Sequence, residues 1–451
     1  MKSGNKTTFI RLLKILHFVL TVLLFWVFQR SFYMVWFDSE NVQRFYFIYY
    51  VLYVVTLYFL MKVYYAYDLE YSKITSLIYA QFLADFISAV VAYAVFAIAF
   101  YVHFFSPWPM LLLVVTQLAL NIVWSTVAYW YYHKVNGCIN TAVICGTGEA
   151  PKLMDEISQH SDIFCVSKVL KESEINDDNI GEKLRGFAAL FVTEVDETKR
   201  NKIAKYCVSN GITGYFTPHI GDILFAGGEY VPAISIPMFR VSRSEPRPDY
   251  LIVKRILDIL LSALLLILLS PLFIVTAIAI KICDGGPVFY KQVRLTKGGK
   301  TFKILKFRSM KVDAEKDGIA RLSTENDDRI TPVGKIIRSC RIDELPQLIN
   351  IIAGSMSFVG PRPERPEIAE QYEKELATFN LRLQVKAGLT GTAQVYGRYN
   401  SDPYEKLQMD LLYINRMSIA EDIKLFFATI RILFLKESTS GVEEGKITAQ
   451  K

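Results

Sequence analysis

Residues 254–281 read KRILDILLSALLLILLSPLFIVTAIAIK, and this stretch decides how the chain is arranged. It has one internal charge, Asp258, and is longer than the roughly 20 apolar residues that a membrane-spanning helix needs. Ser270 and Pro271 lie in its middle, where proline removes a helix hydrogen bond and clashes with the preceding turn. Basic residues flank both ends, so the positive-inside rule favours neither orientation. A kinked span is the alternative, but we expect a re-entrant membrane hairpin over 252–282.

Further apolar segments precede this stretch, at about 15–28, 45–64, 86–102 and 109–130. Tyrosines and tryptophans crowd their ends, as aromatic belts do at membrane interfaces. Lysines and arginines lie before the first segment, after the second and after the fourth, whereas 103–108 contains none. Arg30 and Arg44 are a mild exception to this bias. The positive-inside rule therefore predicts a four-helix transmembrane bundle over 1–134, with both of its ends in the cytoplasm.

Composition narrows the class of partner. The 451 residues are 52% hydrophobic and have a net charge of +7. A positive charge of this size fits anionic lipid or phosphorylated substrates better than nucleic acid.

The six cysteines are scattered and form no C-x-x-C pair, so we expect reduced thiols without zinc or a disulfide framework. Asp85 precedes the third apolar segment, and we expect it to be solvated at the membrane interface, although an ionisable group there can be functional.

Residues 138–245 have the composition of a soluble α/β domain. Strands are indicated at 141–146, 163–169, 188–192 and 212–216, and a helix at 197–209. This alternation favours a parallel sheet covered by helices. Gly146 and Gly148 fit a phosphate-binding turn, but Pro151 stands where a third glycine would be and no clear acid ends the second strand. We therefore predict a degenerate, Rossmann-like nucleotide-binding domain whose tight turn holds no ligand.

An adjacent carboxylate pair, Asp343-Glu344, stands among basic residues in the C-terminal part, which we predict to be a separate domain over 250–451. Phosphoryl transfer from a pyrophosphate needs an in-line nucleophile, a divalent cation and fixed cations for the phosphate oxygens. One carboxylate can be the nucleophile, and its neighbour can hold Mg²⁺, which prefers oxygen ligands. Pro346 suits a first helical turn, so Asp343 is expected near a helix N-terminus. By itself, such a pair is more often an ordinary N-cap followed by a first-turn acid.

The motifs of residues 250–435 resemble the bacterial sugar transferase family of polyprenyl-phosphate hexose-1-phosphate transferases. Besides the apolar helix broken at Ser270-Pro271, the matching segments are GPVFYKQVR at 286–294, FKILKFRSM at 302–310, DELPQ at 343–347, FVGPRPE at 358–364 and KAGLTG at 386–391. The bundle and the α/β domain ahead of them match the long form of this family. The run GTAQVYG at 391–397 departs from the commoner version, which has an aromatic residue at 392 and asparagine at 396.

The resemblance implies a phosphoglycosyl transferase that acts through a covalent intermediate. Asp343 is expected to attack the sugar-side phosphate of a UDP-sugar and release UMP, and Glu344 is expected to bind Mg²⁺. Undecaprenyl phosphate then accepts the hexose-1-phosphate, in a first membrane step of exopolysaccharide, capsule or O-antigen synthesis. The candidates for positioning the phosphates are Lys306, Arg308, Arg338 and Arg362.

The resemblance also implies a location and partners. Because nucleotide sugars are cytosolic, we expect the catalytic domain on the cytoplasmic face of the bacterial inner membrane, which agrees with re-entry. UDP-sugar, undecaprenyl phosphate and membrane lipid are the expected partners; a homodimer stays open, and nucleic acid is not expected. Glucose and galactose are the favoured sugars, and an N-acetylated sugar stays open.

Two other functions remain compatible with the sequence. A conventional glycosyltransferase would move only the sugar and release UDP, and it would place an acid cluster on an α/β nucleotide-sugar fold. A membrane-anchored sensor or scaffold of a polysaccharide assembly system would use the middle domain to bind a ligand and would not need Asp343.

Overall fold

The computed structural model describes residues 3–33, 40–100, 106–146, 150–176, 179–231, 236–243, 246–312, 314, 327, 329–397 and 402–432. The chain divides into two compact units, Met1–Thr217 and Pro218–Lys451. The boundary lies just after the last strand of the α/β sheet. The three domains expected from the sequence stay a prediction.

Long apolar helices begin the first unit: α1 (Ser3–Phe32), α2 (Glu40–Val63), α3 (Ile74–Phe100) and α4 (Trp108–Asn136). Within the described part of the chain, four helices are long and apolar enough to cross a membrane, or five if the bent pair of the second unit is one span. The predicted bundle is confirmed, and the protein is a multi-pass membrane protein. Residues 103–105 of the predicted outer loop fall outside the described residues.

The interior of the bundle is polar at its centre, which corrects the expectation for Asp85. Its side chain is fully buried, and Asn121 Nδ2 donates to Asp85 Oδ2 over 2.7 Å. His17 Nε2 is hydrogen-bonded to Asn121 Oδ1 at 2.9 Å, and His17 Nδ1 to the hydroxyl of Tyr67 at 2.9 Å. The error arose because α3 begins at Ile74, so Asp85 lies three turns inside the helix and not at its start.

A parallel sheet with strand order β2-β1-β3-β4 follows the bundle and confirms the predicted α/β arrangement. Its elements are β1 (Ile139–Cys145), α5 (Pro151–Ser158), β2 (Phe164–Lys171), α6 (Ile180–Lys183), β3 (Ala189–Thr193), α7 (Glu197–Asn210) and β4 (Thr213–Phe216). Buried apolar residues cover both of its faces, as parallel sheets require.

The turn after β1 is tight for a packing reason. A Cβ on Gly146 would collide with the backbone carbonyl of Glu194, so only glycine allows the loop after β3 to approach so closely. Gly148, the second glycine of the expected turn, lies outside the described residues.

The expectation of reduced thiols is wrong for one pair of cysteines. Cys138 and Cys165 form a disulfide, with their Cα atoms 5.6 Å apart. Scattered positions in the sequence meet here because β1 and β2 are parallel neighbours that pair Ile139 with Phe164. Cys138, just before β1, and Cys165, the second residue of β2, therefore lie within bonding distance.

The second unit begins with α8 (Ile220–Ala226) and a short antiparallel pair, β5 (Glu229–Tyr230) with β6 (Phe239–Arg240). The bent helix pair, α9 (Pro248–Leu268) and α10 (Ser270–Asp284), comes next, followed by the antiparallel strands β7 (Phe289–Leu295) and β8 (Thr301–Phe307). The remaining elements are α11 (Pro332–Ser339), α12 (Gln347–Ala353), β9 (Ser357–Val359), α13 (Pro366–Glu375), β10 (Gly388–Thr390), α14 (Thr392–Val395), α15 (Pro403–Asn415) and α16 (Ile419–Ile432). Strands β9 and β10 pair in parallel.

The predicted break at Ser270-Pro271 is present: α9 and α10 meet at 62°. Pro271 has no N–H to donate to the Ile267 carbonyl one turn back, and the Ser270 hydroxyl donates to that oxygen instead, at 2.8 Å. The Ile267 carbonyl is therefore paired at the bend, which is what an apolar environment requires.

Both legs of the bent pair dock on the same unit. Arg255 of α9 donates to the carbonyls of Ile351 and Ile352 at the end of α12, at 2.6 and 2.7 Å. Asp258 accepts hydrogen bonds from the Ser357 hydroxyl at 2.7 Å and the Phe358 N–H at 3.0 Å. Around the bend, by contrast, large apolar side chains are exposed, among them Leu264, Ile267, Leu268, Ile274 and Val275.

Candidate active site

The acid pair lies on a sharp turn between two helices. Helix α11 starts at its N-cap Thr331, whose hydroxyl accepts the Gly334 N–H at 2.9 Å, and it ends at Ser339. Arg341 then adopts a left-handed conformation with φ 54°, which reverses the chain. Ile342–Glu344 form a 3-10 turn. The turn precedes α12, so Asp343 lies just before that helix and not in its first turn.

Glu344 is held by two cations that come from distant parts of the sequence. Lys306 Nζ on β8 lies 2.8 Å from Glu344 Oε1, and Arg362 Nη2, after β9, lies 3.0 Å from the same oxygen. Burial alone would raise the pKa of Glu344, but the charges of Lys306 and Arg362 outweigh it and hold the pKa well below its usual range. Glu344 is therefore an ionised, fixed carboxylate.

Asp343 differs from its neighbour in both contacts and acidity. Its side chain is 9% exposed, and no hydrogen bond to its carboxylate comes from the residues that the structure describes. Burial raises the pKa of Asp343 to about 6, against the opposing charge of Lys306. The two acids thus have separate roles available to them: one is paired, and the other is free to react.

A glycine, the buried Arg382 and the partly buried Arg294 hold the loop that carries Arg362. A Cβ on Gly360 would collide with the Lys386 carbonyl, so glycine allows this loop to lie against β10. Arg382 Nη2 donates to the Arg362 carbonyl at 2.8 Å, and Arg294 Nη1 donates to the Pro363 carbonyl at 3.0 Å. The guanidinium of Arg362 is thereby aimed at Glu344 by a rigid backbone.

These backbone contacts belong to a buried charge network that the sequence interpretation missed. Arg382 is 3% exposed and pairs with Asp410, 1% exposed, at 2.7 Å. Glu364 lies 3.8 Å from Arg294 and 3.7 Å from Arg382. Arg294 and Glu364 stand inside motifs noted above, but Arg382 and Asp410 carry no sequence signal beyond a charge in a helical segment. Their pairing depends on burial, which one sequence does not reveal.

The remaining predicted cations lie in different settings. Arg308 is 6% exposed; its Nε donates to the Pro287 carbonyl at 2.7 Å, and both Nη atoms bond the carboxylate of Asp284. This geometry ties the end of α10 to β8. The guanidinium group of Arg308 is therefore hydrogen-bonded within the protein. Arg338, in the last turn of α11, is close enough for its charge to lower the pKa of Asp343. The structure therefore brings Lys306, Arg338 and Arg362 to the acid pair.

The donor set fits Mg²⁺. Magnesium is typically bound by one or two carboxylates together with substrate phosphates and water, and Glu344 supplies one such carboxylate. In the described part of the chain, no group of three or more His, Cys, Asp or Glu residues could hold a metal. Further ligands would therefore come from the substrate and water.

Comparison with known proteins finds sequence similarity over the same C-terminal region of the chain. The model of the family described as "Bacterial sugar transferase" matches residues 249–436. A Klebsiella pneumoniae protein named UDP-glucose:undecaprenyl-phosphate glucose-1-phosphate transferase is 44% identical over 193 residues, which are 42% of this chain and 41% of the relative. An Aeromonas hydrophila protein named UDP-N-acetylgalactosamine-undecaprenyl-phosphate N-acetylgalactosaminephosphotransferase is 41% identical over 191 residues, covering 42% of this chain and 45% of the relative.

A shorter relative consists almost wholly of the matched region. The exopolysaccharide production protein ExoY of Rhizobium meliloti is 37% identical over 207 residues, which are 43% of this chain and 90% of the relative. The match to the Klebsiella and Aeromonas proteins, in contrast, spans less than half of their length. The resemblance read from the motifs is confirmed: this chain belongs to the bacterial sugar transferase family.

Proposed function

We propose that the protein transfers a hexose-1-phosphate from a UDP-sugar to undecaprenyl phosphate and releases UMP, as the initiating step of polysaccharide synthesis. The observation that carries this proposal is the difference between the adjacent acids: Glu344 is bound by Lys306 and Arg362, whereas Asp343 is buried beside them without a hydrogen-bond donor from the described residues. The names of the relatives quoted above support the substrate class.

The reaction proceeds in two displacements at one phosphorus atom. A carboxylate oxygen of Asp343 attacks the sugar-side phosphorus of the UDP-sugar, and the bond from that phosphorus to the bridging oxygen breaks. UMP leaves with the bridging oxygen, and a phosphosugar ester of Asp343 remains. A phosphate oxygen of undecaprenyl phosphate then attacks the same phosphorus, which restores the carboxylate and forms the lipid diphosphate sugar.

The basic residues around the pair hold the phosphate oxygens during these steps. Lys306 and Arg362 each carry several N–H donors and a positive charge, and Arg338 adds a third cation near Asp343. Mg²⁺, held by Glu344, would neutralise the pyrophosphate charge when bound. Arg308 keeps α10 in place through Asp284, and its predicted contact with phosphate would require that pair to open.

Re-entry of the bent pair is part of the proposal. The first half of α9 packs on α12 and β9, while Ile280 of α10 packs with Phe307 and Ile337 of the same unit. A helix pair that crossed the membrane would separate its ends by roughly 30 Å of hydrocarbon, which opposes docking of both legs on one compact unit. The exposed apolar bend would then insert into the cytoplasmic leaflet.

A trapping experiment tests the covalent step. Purified protein is incubated with radiolabelled UDP-glucose, UDP-galactose or a UDP-N-acetylhexosamine in the absence of lipid acceptor, and the peptide containing Asp343 is examined by mass spectrometry. The expected result is an added hexose phosphate on that peptide and an equal amount of UMP. Asp343→Asn should reduce UMP release by at least about a thousandfold, because an amide does not form the acyl phosphate.

The released nucleotide separates the alternatives. UDP in place of UMP would indicate a glycosyltransferase that moves only the sugar. Absence of any nucleotide release with every donor, together with full polysaccharide production by cells carrying Asp343→Asn, would favour a sensor or scaffold. Glu344→Gln should keep the fold but require much higher Mg²⁺ for turnover, whereas Asp343→Asn should not respond to added Mg²⁺.

A further inference from the structure

A cavity of the first unit lies at the end of α2 and along the loop that follows it. It has a volume of about 430 Å³, within the range typical of ligand pockets. Lysines, tyrosines and acids from three elements line it, including Lys14 of α1, Lys62 of α2 and Tyr132 of α4. No part of the proposed transferase chemistry uses it.

One lining residue of the cavity is held by a buried chain of hydrogen bonds. Tyr67 lines it, and the Tyr67 hydroxyl is tied to His17, which continues through Asn121 to the buried carboxylate of Asp85. The connecting loop is also packed, because Leu69 is 2% exposed in a cluster with Trp124. A buried, hydrogen-bonded chain of this kind fixes the position of the wall groups.

The lining residues of the cavity include two positive and two negative side chains. Lys14 and Lys62 supply two ammonium groups, and neither belongs to an ion pair among the residues that the structure describes. Asp68 and Glu70 supply two carboxylates, and Asp68 Oδ1 accepts the backbone N–H of Glu70 at 3.3 Å. A net charge near zero disfavours a polyphosphate, whereas a ligand with one phosphate and one ammonium group complements both signs.

Exposed apolar side chains lie close in sequence to the lining residues Lys14 of α1 and Tyr58 of α2. Ile15 of α1 is 59% exposed, and Val55 of α2 is 58% exposed. Phe18 and Tyr58 bring the two helices together at this level, with ring centroids 6.1 Å apart. An acyl chain attached to a headgroup in the cavity would therefore lie against the apolar surface of α1 and α2, which faces lipid.

We propose that this cavity binds the headgroup of a zwitterionic phospholipid of the phosphatidylethanolamine class, with the phosphate at Lys14 and Lys62 and the ammonium group at Asp68 and Glu70. Lysine and tyrosine side chains at helix ends commonly sit at the level of lipid headgroups. The site orders a lipid between α1, α2 and the loop that follows. The proposal does not depend on the transferase activity.

The test measures lipid retention by the full chain. Detergent-purified protein is stripped of lipid, supplied with phosphatidylethanolamine, phosphatidylglycerol or inorganic phosphate, and weighed intact by native mass spectrometry. The wild-type chain should retain one phosphatidylethanolamine in preference to phosphatidylglycerol. Lys14→Gln with Lys62→Gln should lower the retained fraction by about tenfold or more, because two cationic contacts are lost. Lys73→Gln, an exposed loop lysine outside the cavity, is the matched control and should retain the lipid.

A second variant is expected to change which phospholipid is preferred. It tests the proposal independently if the lysine variant misfolds. Asp68→Asn with Glu70→Gln leaves a net positive cavity, so the preference should move toward phosphatidylglycerol. Equal retention by wild type and the lysine variant would mean that the lipid is bound elsewhere and would overturn the proposal. Preference of the wild-type chain for phosphatidylglycerol, or displacement of the lipid by millimolar inorganic phosphate, would also overturn it.

Discussion

At the scale of single residues, the reactivity of Asp343 depends on the cations around it. Its carboxyl group is buried, which raises its pKa, while Lys306, Arg338 and Arg362 lower it. Lys306 and Arg362 also keep Glu344 ionised. Two chemically similar side chains, adjacent in the sequence, are therefore in different protonation states over the range just below pH 6.

This difference predicts a pH dependence for the first displacement. Only the ionised form of Asp343 is a nucleophile, so the rate of phosphosugar formation should be constant at neutral pH and fall as the pH drops through about 6. Glu344 stays ionised in this pH range, so its titration adds no second fall in the rate. A single-turnover pH–rate profile with limiting donor checks this, and a rate that is flat down to pH 4 would contradict it.

Arg338 provides a matched test of the electrostatic cause. Its positive charge lowers the pKa of Asp343, so Arg338→Gln should move the acid limb of the profile to higher pH. Lys335→Gln, on the exposed side of the same helix, should leave the limb in place. If both variants shift equally, the effect is long-range and not specific to the site.

At the scale of elements, α9 is fixed to the catalytic unit by polar contacts that are unusual for a helix so apolar. Asp258→Ala would leave the Ser357 hydroxyl and the Phe358 N–H without their acceptor inside the fold. We expect a loss of about 1–3 kcal/mol in unfolding free energy, measured by thermal unfolding in detergent. Asp249→Ala, at an exposed position in the first turn of α9, is the control and should change little. Equal melting curves for the two variants would exclude Asp258 as an anchor.

The bent pair also predicts a topology. A reporter fused after residue 282 should be active in the cytoplasm if α9 and α10 form a re-entrant hairpin, because both legs return to the same side. A reporter after residue 246 should give the same result and is the reference. Labelling of residue 282 from the periplasm would show that the pair is one bent span.

At the scale of the whole molecule, the second unit contains a core of its own that begins earlier than the sequence composition indicates. Ile223 of α8 is 2% exposed in the cluster that includes Leu407 and Leu411, and Asn415 Nδ2 donates to the Ile223 carbonyl at 2.6 Å. Helix α8 lies within the range that we assigned to the α/β domain, yet its apolar side chains pack with α15.

This packing predicts where the chain can be shortened. A fragment of residues 218–451 should retain phosphosugar formation, whereas a fragment of 248–451 lacks Ile223 and should be less stable by about 2–5 kcal/mol. The comparison of their melting temperatures and of their labelled peptides checks this. Equal stability would mean that α8 is dispensable for the core.

Local patterns in the sequence were sufficient for much of this architecture. Apolar length predicted the membrane helices, strand and helix periodicity predicted the parallel sheet, and the missing N–H of Pro271 predicted the bend. Each of these depends on neighbouring residues, so it is visible in one chain. The acid pair and its family motifs were visible for the same reason, since they are contiguous.

The tertiary structure decided which charges meet. Three separate segments supply Lys306, Glu344 and Arg362, which meet at the acid pair. Arg308 forms an ion pair with Asp284. The burial of Asp85, the disulfide between Cys138 and Cys165, and the lysine-lined cavity likewise depend on elements packed side by side. A residue's type can be read from the chain, but its pKa and its partner depend on what the fold brings within a few ångströms of it.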